Sequence, residues 1–213
     1  IEAFDNSNIS GSDAVAACVV FKKAKPSKKD YRKYIIKTVE GPDDYASMKE
    51  VVRRRYSRMI EEESEFPDLI VADGGVGQME AIRKVVEDEL NLKIPIVGLA
   101  KNTKHKTREL LFGCPPKEIG MKPNETLFIL MANIQEEVHR FAIKFHREKR
   151  SKTQTASELD KIPGIGEKTK NELIAHFKSL KRIKTAEFSD IENIIGTHRA
   201  SKVYSHFNPN LKA

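Results

Sequence analysis

Leu69-Ile70-Val71-Ala72-Asp73-Gly74-Gly75 constrains the fold more than any other stretch of the chain. Four consecutive apolar residues without polar alternation describe a short strand covered on both faces, as in the middle of an α/β sheet. Strands of that kind carry ligand sites at their carboxyl ends. There the sequence places a carboxylate, Asp73, followed by two glycines that let backbone and ligand approach closely. Taken alone, the stretch leaves Asp73 two roles of equal standing. It is a functional acid at a sheet edge, or a cap for a helix that begins near Val76.

The surrounding pattern predicts three strands over residues 1–4, 14–21 and 31–39, linked as an antiparallel meander, with Asp5 closing the first. Polar residues 6–13 form the first turn, and a basic connection spans residues 22–33. A helix follows over residues 41–62, with acids in its first turn and Met48, Val51, Val52, Tyr56 and Ile60 at helical spacing. The row Arg53-Arg54-Arg55 lies on it, and three consecutive helical residues point in different directions. After the Asp73 strand come a helix over residues 76–90, a strand over 94–99 and part of a hairpin over 109–112. The longest helical pattern covers residues 124–150, with the stripe Leu127, Leu130, Met131, Ile134, Val138, Phe141 and Phe145. Its end is basic (Lys144, Arg147, Lys149, Arg150), which suits both the helix dipole and a phosphate.

Residues 151–155 are polar and read as a linker. The expected organisation is an α/β domain over residues 1–150, a linker over 151–155 and a small all-α domain over 156–213. That last part contains a repeat. Ile162-Pro163-Gly164-Ile165-Gly166 precedes a helix ending Ala175-His176-Phe177, and Ile194-Ile195-Gly196-Thr197-His198 precedes one ending Ser205-His206-Phe207. The first turn resembles a helix-hairpin-helix DNA-binding motif. Glycines bare the backbone N–H groups just where the next helix presents its positive end, a cradle for one phosphate that reads no base sequence. Gly164, Gly166 and Gly196 are the turn residues, and Lys168 and Lys170 add charge. In the second unit His198 stands in place of the second glycine.

Charge agrees with such a partner. The chain has 213 residues, 38 Lys+Arg against 31 Asp+Glu, a net charge of +7 and a pI near 9.3. This balance suits a polyanion, and nucleic acid is the commonest one. The two cysteines have no metal-ligand spacing, and Cys18 reads as a core residue. No run reaches transmembrane length and no secretory signal is present, so a cytoplasmic location without a membrane partner is expected. The chain begins at Ile1 inside a strand-like pattern, as a piece of a longer protein would.

The order of strands and helices in the larger part resembles ribonuclease-H-like nucleases: a mixed sheet flanked by helices, here followed by a double helix-hairpin-helix domain. In that fold an acid on the first strand lies beside an acid at the end of the fourth. Asp5 and Asp73 hold those positions and would make an oxygen-rich site for Mg²⁺ or Mn²⁺. The blocks Phe4-Asp5, Asp43-Asp44-Tyr45, Arg53-Arg54-Arg55-Tyr56, Asp73-Gly74-Gly75-Val76-Gly77-Gln78, Gly98-Leu99-Ala100-Lys101 and Glu137-Val138-His139-Arg140-Phe141-Ala142 occur in this order. Together they resemble the C-terminal half of the UvrC family, the excinucleases of bacterial nucleotide excision repair.

The resemblance implies a metal-dependent endonuclease that cuts on the 5′ side of a DNA lesion with two aspartates and a histidine, here Asp5, Asp73 and His139. It implies damaged double-stranded DNA as substrate, and a UvrB-type subunit as partner through regions not seen in this sequence. Neither the family's GIY-YIG nuclease pattern nor its UvrB-binding region is present. Lys101 matches a family lysine near the site, and Arg147 is a candidate DNA contact. His146, two turns further along the same face of the long helix, is the alternative histidine; near the basic end, it is also a candidate phosphate contact. Whether His139 is a base or a metal ligand stays open, as do a non-catalytic DNA-binding scaffold and another ribonuclease-H-like enzyme such as a junction resolvase. Asn6 departs from the apolar residue usual after the family's first aspartate.

Overall fold

The computed structural model describes residues 1–7, 14–101, 107–122 and 124–209; the side chains of residues 7, 100, 101 and 107–109 are outside the description. The turn expected over residues 6–13 therefore lies mostly outside the described residues. The chain divides into two compact units, Ile1–His146 and Arg147–Ala213.

In the first unit, β1 (Glu2–Ser7) pairs antiparallel with β2 (Val15–Lys22), which also pairs with β3 (Lys25–Pro26) and β4 (Arg32–Ile35). On the other side of β1, β5 (Ile70–Ala72) and then β6 (Ile96–Lys101) run parallel to it. The antiparallel strands β7 (Thr107–Phe112) and β8 (Lys117–Gly120) complete the sheet. The order is β3-β2-β1-β5-β6-β7-β8, with β4 also on β2. This is the ribonuclease-H-like mixed sheet that the sequence predicts.

Successive strand residues face opposite sides of a sheet. Phe4, Ile70 and Ala72 pack against α1 (Asp44–Glu61) and α2 (Val76–Arg83), through Met48, Val51, Val52, Tyr56, Met79 and Ile82. Ala3 and Val71 face the other way, onto Met131, Ile134 and Val138 of α3 (Thr126–Asp160). The same alternation sends Asp5, two residues after Ala3, and Asp73, two after Val71, toward the α3 side.

Some expectations shift for identifiable reasons. β1 continues past Asp5 to Ser7, paired with β2 along its length. The strand expected over 31–39 stops at Ile35, because the Glu50 carboxylate on α1 accepts the backbone N–H groups of Lys37 (3.0 Å) and Thr38 (2.9 Å). Those donors are then lost to a strand ladder. The Asp43 side chain caps α1 by accepting from Ala46 N, and Met59 takes the buried position expected of Ile60, which is 44% exposed. After Arg83, α2 loosens into a π-helical turn over Lys84–Glu89. The arginine row serves structure: Arg53 pairs with Glu89, Arg54 with Glu50 and Arg55 with Glu2.

Residues 151–155, expected as a linker, are helical and belong to α3. Thr155 is buried there and donates its hydroxyl proton to the Ser151 carbonyl at 2.7 Å. In the second unit, α4 (Glu167–Phe177), α5 (Leu180–Lys184), α6 (Phe188–Ile195) and α7 (Thr197–Phe207) surround Leu159, Ile162, Leu173, Ile183, Ile191 and Val203. The internal repeat is visible in the backbone. Gly164 (φ +83°) and Gly196 (φ +77°) share the left-handed region that favours glycine. His176–Phe177 and His206–Phe207 make the same edge-on ring pair, 4.9 Å between centroids in each.

Candidate metal centre and active site

Strand register brings the two acids together. β1 and β5 pair Phe4 with Ala72, and Asp73 N donates to Phe4 O at 2.9 Å, so Asp5 and Asp73 are the next residues on neighbouring strands. Both are buried. α3 supplies the rest of the site. Ile134 and Val138 bury themselves on the sheet, and the residues just after them, Gln135 and His139, stand one turn apart above the acids.

His139 Nδ1 lies 3.0 Å from Asp5 Oδ2 and 3.8 Å from Asp73 Oδ2. Gln135 Nε2 donates to Asp73 Oδ1 at 2.5 Å. One ring nitrogen thus approaches both carboxylates, in a group whose side chain is 53% exposed and reachable by a ligand. One ligand atom each from Asp5, Asp73 and His139 lies within 4.8 Å of the others. Two ligands about 2.1 Å from one Mg²⁺ are at most about 4.2 Å apart, so the cluster is close to the size one ion needs. The donor set fits as well: two carboxylates suit Mg²⁺ or Mn²⁺.

The capping role for Asp73 is not the one found. Gly75 is the N-cap residue of α2, and the Asp73 carboxylate meets α3 instead. A Cβ on Gly75 would meet nothing, so the segment opens to solvent there. On Gly74 it would meet the Gln78 side chain at 2.5 Å, and on Gly98 the Gly74 carbonyl at 3.1 Å. Two of these glycines therefore let β5, β6 and α2 close up beside Asp73. Asn6 remains in β1, and its Nδ2 donates to the Asp44 carbonyl at 2.7 Å, tying the strand end to α1.

The other candidates fall elsewhere. Lys101 ends β6, with its side chain outside the described residues. His146 is 2% exposed, so it does not offer its ring to phosphate. Lys170 is also buried, where its ammonium meets Asp160 and Glu167. Those carboxylates hold it above the usual lysine range. The expectation of a phosphate contact by Lys170 is corrected accordingly. Lys168, Gly164, Gly166, Gly196 and Arg147 remain exposed in the second unit. Lys202 Nζ stands 2.6 Å from where a Gly164 Cβ would be, a cation beside the first turn that sequence reasoning misses. Gln135 escapes it too. Its only signal is the four-residue spacing to His139.

Comparison with known proteins follows the same lines. The family described as "UvrC RNAse H endonuclease domain" matches residues 1–143. UvrABC system protein C of Bacteroides thetaiotaomicron is 69% identical over 203 residues, covering 95% of this chain and 33% of that protein. UvrABC system protein C of Streptococcus pneumoniae (strain CGSP14) is 55% identical over 211 residues, covering 98% of this chain and 34% of that protein. This chain thus spans about a third of the length of these curated relatives. The crystal structure of human ENDOV aligns with 70% of this chain and 84% of that chain, at 10% identity and a TM-score of 0.37. No helix among the described residues is long and apolar enough to cross a membrane. With a family match over two thirds of its length and relatives this similar, the chain belongs to the UvrC RNase H endonuclease domain family.

Proposed function

We propose that the chain is a divalent-metal-dependent DNA endonuclease that hydrolyses a phosphodiester, acting in nucleotide excision repair on the 5′ side of a lesion. One observation carries this reading: Asp5, Asp73 and His139 converge, in a chain of this nuclease family, with ligand atoms within 4.8 Å of one another. Asp5 and Asp73 would hold Mg²⁺ or Mn²⁺, which when bound stabilises charge on the phosphodiester and makes water a better nucleophile. The protein's own residues do the positioning. Burial on two paired strands fixes the carboxylates, and Gln135 orients Asp73 through its amide. His139 takes the proton of the attacking water at a ring nitrogen, or completes the ligand set.

The second unit, with its Gly164 and Gly196 turns and the cations Lys168 and Arg147, grips the DNA backbone without reading sequence. Damaged double-stranded DNA is the proposed substrate, and a UvrB-type subunit the proposed partner. Both follow from the family resemblance of the sequence blocks, and a domain division near residues 147–155 accompanies them.

Gln135 gives a first test. Gln135→Leu keeps the side-chain size and removes the donor to Asp73. Changes in the groups that orient metal ligands typically lower metal affinity or activity 10–100-fold. A drop of about that size is expected in the Mn²⁺-supported nicking rate, with DNA affinity unchanged. An unchanged rate and unchanged Mn²⁺ dependence would detach Gln135 from the centre. Should the wild-type chain bind lesion-bearing duplex yet never nick it, with Mn²⁺ present or absent, the scaffold reading would replace this one.

A further inference from the structure

We infer that the nuclease unit carries its own track for the backbone of the strand being cut, in a cationic cleft formed by the β3–β4 segment and the middle of α3. The proposal rests on the DNA-nuclease reading above. The cleft, of about 480 Å³, is lined by five cations: Lys28, Arg32 and Lys33 from the β3–β4 side, and Arg140 and Lys144 from α3. All five are exposed. The basic run over residues 22–33, to which the sequence alone assigns no role, supplies three of them.

Three observations make this more than a solvated charged face. The first is its place in the sheet. Register runs Asp5↔Ala17 on β1–β2 and Ala17↔Lys33 on β2–β4, so Asp5 and Lys33 lie in one row two strands apart. Cross-strand partners point to the same face, and neighbouring strands are 4.7–4.9 Å apart, which puts the Lys33 backbone about 10 Å from that of Asp5. At 3.4 Å per nucleotide along one strand, that is about three nucleotides of a duplex. The same helix that brings Gln135 and His139 to the acids continues with Arg140 and Lys144, and Lys144 is about 7.5 Å along the axis from His139.

The second observation is that the cations stand on a firm floor. Lys33 Nζ lies 5.5 Å from the centroid of the Phe141 ring and 5.0 Å from that of Phe145. Tyr31 packs edge-on against Phe141, 5.0 Å between centroids. Stacking of this kind holds a lysine in place while its charge still acts on an anion.

The third is the charge balance. Among the described residues no acid lines the cleft. Glu137, beside it, is held by the Tyr31 hydroxyl (3.0 Å) and by Arg140 (2.7 and 2.8 Å). With Glu137 so held, the lining of the cleft among the described residues is made of cations and aromatic rings. The aromatic rings are half-buried beneath the cations and do not project as an apolar anchor. Chemistry of this sort takes a string of phosphates in preference to a lipid surface or an apolar peptide.

The test compares DNA binding by the whole chain across a salt series, in an Asp73→Asn background that prevents cutting. Lys28→Gln/Lys33→Gln/Lys144→Gln removes three charges from the cleft. Lys84→Gln/Lys93→Gln/Lys117→Gln removes three exposed charges from elsewhere on the same unit. Each lost phosphate contact makes log K against log[salt] shallower by about 0.9 for a duplex or about 0.7 for a single strand. The cleft variant is therefore expected to lose about two to three from the slope, and on the order of 100-fold in affinity at 0.1 M salt. The control should change little. An unaltered slope in the cleft variant, or an equal loss in the control, overturns the track while wild-type nicking keeps the nuclease reading intact. A wild-type chain that neither binds nor nicks DNA overturns both.

Discussion

Asp73→Asn is expected to lower nicking of a lesion-bearing duplex by at least about 10³-fold, the scale seen when one member of a catalytic set is removed, while DNA affinity stays within a few-fold. Asn is nearly isosteric with Asp, so the strand pairing of Phe4 with Ala72 and the hydrogen bond from Asp73 N to Phe4 O have no reason to change. What is lost is half of the anionic charge that would hold a divalent cation. Asp5→Asn should behave alike, and the double variant should be little worse than either single one, because residues acting as a unit are not additive. Stability should move the opposite way to activity, or not at all. Two buried carboxylates side by side repel each other without a cation, so a neutral amide at either position is expected to leave the melting temperature unchanged or raised. Parallel measurement of nicking, binding and thermal unfolding separates this from misfolding. Retained nicking in either single variant would remove that residue from the site.

Glu2→Ala is expected to destabilise the first unit by about 3–5 kcal/mol, the scale for removing one partner of a buried ion pair. Glu2 is 3% exposed. Its carboxylate accepts from Arg55 at 2.5 and 3.2 Å and from the Tyr56 hydroxyl at 3.1 Å, with Cys18 Sγ 3.8 Å away. Burial, then the Glu2 charge, push the Cys18 thiol and the Tyr56 phenol well above their usual ranges. Neither can supply the anion that Arg55 needs if Glu2 is lost. Glu2→Ala/Arg55→Met, which removes both charges, should recover much of the loss, since a buried pair is often replaceable by apolar groups at little cost. Urea unfolding with an unchanged slope on denaturant would measure this. A shift below about 1 kcal/mol for Glu2→Ala would mean that water or rearrangement satisfies Arg55.

These two residues show what the sequence makes legible. Asp73 can be placed because Leu69–Ala72 is an unbroken apolar run, and a run of that kind has few places to go in a small α/β domain. His139 can be placed next to a helical stripe because Ile134 and Val138 repeat with the helix period. Position beside a stripe leaves the partner undefined; the two acids arrive from strands more than 60 residues away, and only register aligns them. Glu2, by contrast, sits in Ile-Glu-Ala-Phe, a strand start in which nothing singles it out. Its burial is decided by Arg55 and Tyr56, which α1 delivers from over 50 residues along the chain. Lys170 reads as a phosphate ligand from its place after a glycine turn, and the acids that claim it, Asp160 and Glu167, lie just before and after that turn. His146 reads as accessible beside the basic tail of the helix, and side-chain packing buries it. The third strand reads too long because Glu50, a long-range acceptor, takes the donors of Lys37 and Thr38. Glu2, Lys170 and the third strand each turn on a polar partner delivered by another element, and His146 turns on packing, information that hydrophobic periodicity does not carry.

The central claim is that Asp5, Asp73 and His139 form a cation-dependent centre for phosphodiester hydrolysis. The measurement closest to it is nicking of lesion-bearing duplex by the wild-type chain, after treatment with EDTA and again after Mn²⁺ or Mg²⁺ is restored in excess. Nicking is expected to vanish with EDTA, to return with either ion, and to stay absent in Asp73→Asn under every condition. Undiminished nicking in EDTA, or in Asp73→Asn, would contradict the claim.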